Sequence, residues 1–294
     1  MPENNELWTP TRRIENAFRR SLLVIADKII ASITGLTDTS DIRNVLEKLT
    51  RSPEFKRFTE NVARKMVTGL MSSQRNAWRQ SAARNSAQSR KLYSYLQNEL
   101  KGTLARRMKE LIKHNTSLIQ TLPLDIATDV TAYVTRETEK GRRASDIARE
   151  IQKMFPNHTR ARAELIARTQ TSMAQMDITR ARAERLGINW YVWRSVGGAA
   201  GDGRTRYSHK KMSYVLVNWN DPPAPEDLFP TFAKNGKRHK NTLGHYHAGC
   251  CPNCRCYAEP VVLIDRVEFP CRIYSHGRIS KITKKEFERR YYKK

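Results

Sequence analysis

Cysteine is absent from the first 249 residues of this 294-residue chain, and all five cysteines follow. A disulfide framework stapled along the molecule is therefore excluded. Carboxylates are scarce: 29 Asp and Glu face 54 Lys and Arg, a formal net charge of +25. Such a field repels itself and draws polyanions, with nucleic acid the first candidate. Hydrophobic residues make up only 39% of the chain, and mean hydropathy is -0.69. That favours a helix-rich or elongated molecule over a compact sandwich. Long apolar runs are missing too. The longest, SLLVIADKIIASI, is interrupted by Asp27 and Lys28, so no segment is expected to span a membrane and no membrane partner is expected. The opening MPENNELWTPTRR has polar and acidic residues where a secretory signal needs an apolar core, which points to a reducing cytoplasm.

What is present first is helix. Over residues 10–157 apolar side chains recur at helical spacing, as in Ile14, Phe18, Leu22, Ile25 and Ile29, and again in Phe55, Phe58, Val62 and Met66. Ser52 and Pro53 supply a cap and first-turn pair. Further helices are expected over about 124–139 and 144–154. Pro156 and Asn157 are expected to break the pattern before a helix over about 159–186, closed by Gly187.

After Gly187 the texture changes. INWYVWRSV, MSYVLVNW, CYAEPVVLI and PCRIYS read as strands separated by loops rich in Gly, Pro, Asn and His. The fold class expected is α+β: a long helical N-terminal half over 1–157, a small α+β domain over 158–276 with a zinc-stabilised cysteine cluster, and a basic C-terminal tail over 277–294.

Gly198 to Thr205 spells G-x-x-x-x-G-R-T, one residue from a phosphate-binding loop. Arg204 replaces the lysine that reaches the β- and γ-phosphates, the residues after Thr205 read poorly as a helix, and no second strand ends in a metal-binding Asp. A glycine-rich turn between strands is the better reading.

Four cysteines crowd HAGCCPNCRC, residues 247–256. Cys251 and Cys254 form a C-x-x-C, whose spacing lets two thiolates grip one tetrahedral ion, and Cys256 lies two residues on. A fourth ligand must come from His209, His245, His247 or Cys250. A thioredoxin-like pair needs a helix after the motif, whereas here a strand follows. A vicinal Cys250–Cys251 disulfide is strained. A cysteine nucleophile with His209 or His247 as base has no orienting acid at a recognisable spacing. Buried free thiols are the plainest alternative.

The order of a helix with RAELIARTQT, a strand with YVW, the loop DGRTRYSH, and CPNCRC leading into a strand resembles the phage minor head protein family, also described as phage Mu protein F-like or head morphogenesis proteins. The resemblance spans about residues 159–263. Arg168, Thr169 and Gln170 match the family's helix, Trp193 its strand, Asp202, Arg204, Thr205 and His209 its loop, and Cys254 and Cys256 its C-R-C pair. Cys251 stands where the family has a lead-in histidine, and MSYV replaces the usual glycine after the loop histidine.

The resemblance implies a structural zinc site of His209, Cys251, Cys254 and Cys256. It implies a non-enzymatic minor capsid protein inside the virion head near the portal, acting in assembly, packaging or ejection after synthesis in the bacterial cytoplasm. The partners implied are the portal protein, non-specific double-stranded DNA, and the scaffold or major capsid protein. The DNA contacts expected lie in the tail: Arg278, Lys281, Lys284, Lys285, Arg289, Arg290, Tyr291, Tyr292, Lys293 and Lys294. The alternative class is a zinc-dependent nuclease or another zinc-bearing nucleic-acid-binding protein. Against the nuclease stand the lack of paired carboxylates and the closed shell of a Cys₃His site.

Overall fold

A computed structural model describes residues 5–9, 12–36, 38–83, 94–96 and 102–291. The helices are α1 (Asn5–Trp8), α2 (Arg12–Ile33), α3 (Thr39–Arg51), α4 (Pro53–Ala83), α5 (Thr103–Glu139) and α6 (Ala144–Arg185). Then come β1 (Trp190–Arg194), α7 (Tyr207–Met212), β2 (Val215–Asn218), α8 (Pro225–Leu228), β3 (Tyr257–Pro260), β4 (Cys271–Ser275), β5 (Arg278–Ile282) and α9 (Lys284–Tyr291). A long helical half followed by a small five-stranded sheet is the α+β class the sequence predicts.

The chain separates into two compact units. One comprises residues 11–70 and 108–171 and is helical. Its stripe on α2 is buried as the periodicity predicts, through Phe18, Leu22, Ile25 and Ile29. The cap Asp38 accepts from the backbone N–H of Ser40 and Asp41 and opens α3. On α4, Phe55, Val62 and Met66 are buried but Phe58 is 41% exposed; Thr59 takes the inward place and accepts from Gln120 Nε2 at 3.1 Å.

The helix break expected at Pro156 does not occur. Pro123 lies inside the 37-residue α5, and Pro156 lies inside the 42-residue α6. An interior proline costs a helix roughly 3 kcal/mol. Here buried neighbours on both sides hold the axis: Ile119, Leu122 and Ile126 around Pro123, and Phe155, Thr159 and Ala163 around Pro156.

The turn between α5 and α6 is closed by charge. Arg142 donates to Glu137 at 3.1 Å and to both oxygens of Glu150 at 2.8 Å, and Lys140 donates to Glu137 at 2.8 Å. Hydrogen bonds from Lys140 and Arg142 hold Glu137 down to about 2, and those from Arg142 and Tyr133 do the same for Glu150. Both folded-state values lie below the ordinary 4.5, so this stabilisation is present above that pH and is lost as pH falls toward about 2. Thermal melts between those pH values are expected to fall more steeply for the native chain than for Arg142→Ala. Parallel curves would count against the network.

The other unit comprises residues 1–10, 71–107 and 172–294 and carries the sheet, in the order β3-β1-β2-β4-β5. β1 pairs antiparallel with β2 and β3, β2 pairs parallel with β4, and β4 pairs antiparallel with β5. Strand alternation splits β1 between two cores. Tyr191 and Trp193 face the cysteine side, packed with Trp78, Trp219 and Tyr246. Trp190 faces the other side, with Leu216, Ile273, Ile282 and Phe287.

That second core takes in most of the segment expected as a basic C-terminal tail. Residues 278–291 are β5 and α9. Thr283 and Glu286 form a reciprocal capping box: Thr283 N–H donates to Glu286 at 3.0 Å, and Glu286 N–H donates to Thr283 Oγ1 at 3.3 Å. The signal T-K-K-E was there to be read. Phe287 is fully buried, 5.2 Å from Trp190 between ring centres.

Candidate metal centre

The centre is built from three pieces of chain. The first is the glycine loop after β1. Gly197 at φ +77 lets the chain close on itself; a Cβ there would sit 2.4 Å from the backbone of Gly201. Asp202 then accepts from Thr205 Oγ1 at 2.8 Å and from Arg204 N–H at 3.2 Å, and pairs with Arg255. The Thr205 hydrogen bond leads in lowering the Asp202 carboxyl to about 2. Arg255 lies between Cys254 and Cys256, so the D-x-R-T loop is bolted to the C-R-C segment by one ion pair.

The second piece is α7, which sequence reading did not expect. It spans six residues, and the side chain of its N-cap residue, Arg206, makes no capping hydrogen bond to the helix. Burial of Ser208, His209 and Met212 sustains it instead. Such a helix has no local signal strong enough to be found from sequence. Arg206 meanwhile donates to Cys251 Sγ at 3.1 Å and to Pro252 O at 2.9 Å.

The third piece is HAGCCPNCRC itself. Gly249 at φ +90 passes so close to Ser172 and Cys256 that a Cβ would lie 2.9 Å from each. Asn253 at φ +59 turns the C-x-x-C.

These pieces bring His209, Cys254 and Cys256 into one buried group able to hold a metal ion, their ligand atoms all within 4.8 Å of one another. His209 Nδ1 lies 3.5 Å from Cys254 Sγ and 3.4 Å from Cys256 Sγ. In a tetrahedral zinc site the N-to-S edge is about 3.6 Å, given bonds of about 2.0–2.1 and 2.3 Å. The opposite nitrogen, Nε2, is 2.8 Å from Tyr246 Oη and 3.7 Å from Glu226. Tyr246 in turn donates to both Glu226 oxygens at 2.8 Å. Nε2–H therefore donates toward this pair, and the Nδ1 lone pair faces the two sulfurs, as in a carboxylate-supported metal histidine. The donor set fits a thiophilic ion.

Hydrogen bonds from Cys251 and Cys256 pull the Cys254 thiol well below its ordinary value, while Cys256 and Cys251 are pushed up by their bonds to Cys254 and by burial. Burial alone would lower the His209 pKa, but its bonds to Cys254 and Glu226 outweigh that and raise it. Burial would raise Glu226, yet its bonds from His209 and Tyr246 bring it to about 2.

The remaining candidates go different ways. Cys251 is buried, with Sγ 3.9 Å from His209 Nε2, on the margin of the group. His245 is exposed, its Nδ1 2.8 Å from Pro222 O. His247 Nδ1 is 3.1 Å from Tyr191 Oη, and burial with the nearby Arg180 charge lowers its pKa to about 4. Cys250 is only partly buried.

Sequence reasoning missed Glu226 and Tyr246. Both come from the long insert after β2, and no local motif marks a side chain whose partner is 17 to 37 residues away. Arg168 lies in the helical unit, 3.8 Å from Glu15. Of the cations expected in the tail, Arg278, Lys281, Lys285, Arg289 and Arg290 are exposed on β5 and α9. Lys284 is paired with Asp265 at 2.6 Å, and the Tyr291 ring lies 4.7 Å from that of Trp190. Tyr292, Lys293 and Lys294 lie outside the described residues.

Residues 128–259 match the family model described as phage Mu protein F like protein. Over that segment the chain is similar to this family, the one its motif order resembles. The match opens inside α5, covers the whole His/Cys group and its insert, and ends in β3. An uncharacterized protein of Haemophilus influenzae (strain ATCC 51907 / DSM 11121 / KW20 / Rd) is 29% identical over 171 residues, 58% of this chain and 32% of the relative. The chain thus spans about a third of the length of the curated relative it matches. No solved structure matches the chain. Among the described residues, no helix is long and apolar enough to cross a membrane.

Proposed function

We propose that this chain is a minor structural component of a phage head, acting close to the portal during assembly and DNA packaging or ejection. The observation that carries the reading is the family match over 128–259. The His/Cys group then serves as a structural zinc site, with Cys251 as the fourth ligand beside His209, Cys254 and Cys256. Its burial favours a cross-link over catalysis, because a metal with four protein ligands keeps no open position for substrate or water.

The portal and, more loosely, the scaffold or major capsid protein are the protein partners, with the helical region 1–157 as the portal-docking part and 158–276 as the head morphogenesis domain. Double-stranded DNA is bound without sequence preference through the net charge of +25. The exposed cations Arg278, Lys281, Lys285, Arg289 and Arg290 contribute to that field. The protein resides in the virion, inside the head.

The test is co-sedimentation with the portal protein of the same phage at moderate salt, with and without nuclease. Co-migration that survives nuclease is the expected result. Co-migration lost with nuclease, or none, would overturn portal docking.

A further inference from the structure

Asp227 and Glu259 bracket 31 residues that contain no carboxylate. Near the start of that span the chain turns outward as a hairpin. Phe232 bridges Arg238 in antiparallel register. Ala233 N–H donates to Lys237 O at 2.8 Å, Gly236 N–H to Ala233 O at 2.9 Å, and His239 N–H to Thr231 O at 2.9 Å. Asn235-Gly236 forms the tip, where Asn235 Oδ1 accepts from Lys237 N–H at 3.1 Å and Gly236 takes φ +76. The base is tied down by Asp227, which accepts from Arg238 at 3.2 Å and from Asn241 at 2.7 Å.

What the hairpin presents is basic and apolar together. Lys234, Lys237 and Lys240 are exposed. Phe232 is 61% exposed. Elsewhere the excess of cations is partly matched along the helices, for example Arg51–Glu47, Arg64–Glu60 and Arg180–Glu184. Here, among the described residues, the one carboxylate holding a hairpin cation is that of Asp227, on Arg238. A preformed loop of lysines also loses little conformational freedom on binding.

We infer that this hairpin is a DNA-contacting finger, with Lys234, Lys237 and Lys240 on backbone phosphates of a duplex and the Phe232 ring against the sugar surface between them. It deepens the DNA-binding reading above and places the principal contacts away from β5 and α9, in the insert that also carries Glu226 and Tyr246. Asp227 and Glu226 are adjacent on α8, so one short helix anchors both the finger and the support of His209.

Three phosphate contacts account for about 2.7 of the slope of log affinity against log salt. Affinity of the full-length protein for a random-sequence duplex would be measured between about 50 and about 200 mM salt. The variant is Lys234→Gln, Lys237→Gln and Lys240→Gln combined. A second variant removes the same charge from helices of the other unit, Lys28→Gln, Lys48→Gln and Lys65→Gln. All six lysines are exposed, so unchanged melting temperatures are expected and would be verified first. The finger variant is expected to lose about 2.7 from the slope, making its affinity drop across that range about 40-fold smaller than the native protein's. The helix variant is expected to change the slope far less. Equal changes in both variants, or an unchanged slope in the finger variant, would overturn the finger and leave general DNA binding standing. A native protein that fails to bind duplex even at low salt would overturn both.

Discussion

Cys254→Ser is expected to empty the metal centre and to cost on the order of several kcal/mol of stability, since structural zinc contributes its binding free energy directly to folding. At about 2–4 °C per kcal/mol for a unit of this size, the melting temperature drops by about 10 °C. The position explains the scale. Cys254 is 2% exposed, lies 3.5 Å from His209 Nδ1, and is the sulfur to which both Cys251 and Cys256 are hydrogen-bonded. Elemental analysis of the protein purified without added metal is expected to give about one zinc per chain in the native form and almost none in the variant. A native protein free of zinc, with a variant that melts at the same temperature, would reduce the group to buried thiols.

The second large effect is expected at the other face of the sheet. Phe287→Ala removes a fully buried ring that packs on Trp190 and, at 5.8 Å, on Phe269. Truncating a buried phenylalanine costs roughly 3–5 kcal/mol. The neighbouring Lys285→Ala, on an exposed face of α9, is expected to stay within about 0.5 kcal/mol of the native protein. Chemical denaturation of both variants checks the contrast. If Phe287→Ala were as mild as Lys285→Ala, the C-terminal strand and helix would not be part of the cooperative unit, and a loose basic arm would be the better description.

The two substitutions probe opposite faces of one strand. β1 sends Trp193 toward the His/Cys group, 5.6 Å from the His209 ring, and Trp190 toward α9. Both faces of the sheet are closed, one by the His/Cys group and the aromatic residues around it, the other by α9.

Sequence alone determined the elements whose signal is local. The helical stripes, the β-branched and aromatic strands and the clustered cysteines each repeat at a spacing that backbone geometry imposes, so they could be read without knowing the fold. His209 was one of four candidates by residue type, and only its place in a family pattern singled it out. Tertiary structure decided the rest, and for one physical reason: those features draw their stability from partners distant in the chain. Pro123 and Pro156 stay helical because buried neighbours outweigh the missing hydrogen bond. The six-residue helix α7 exists because Ser208, His209 and Met212 are buried. Glu226 and Tyr246 reach His209 only once the insert has folded across it, and the basic C-terminus becomes strand and helix because Phe287 finds Trp190.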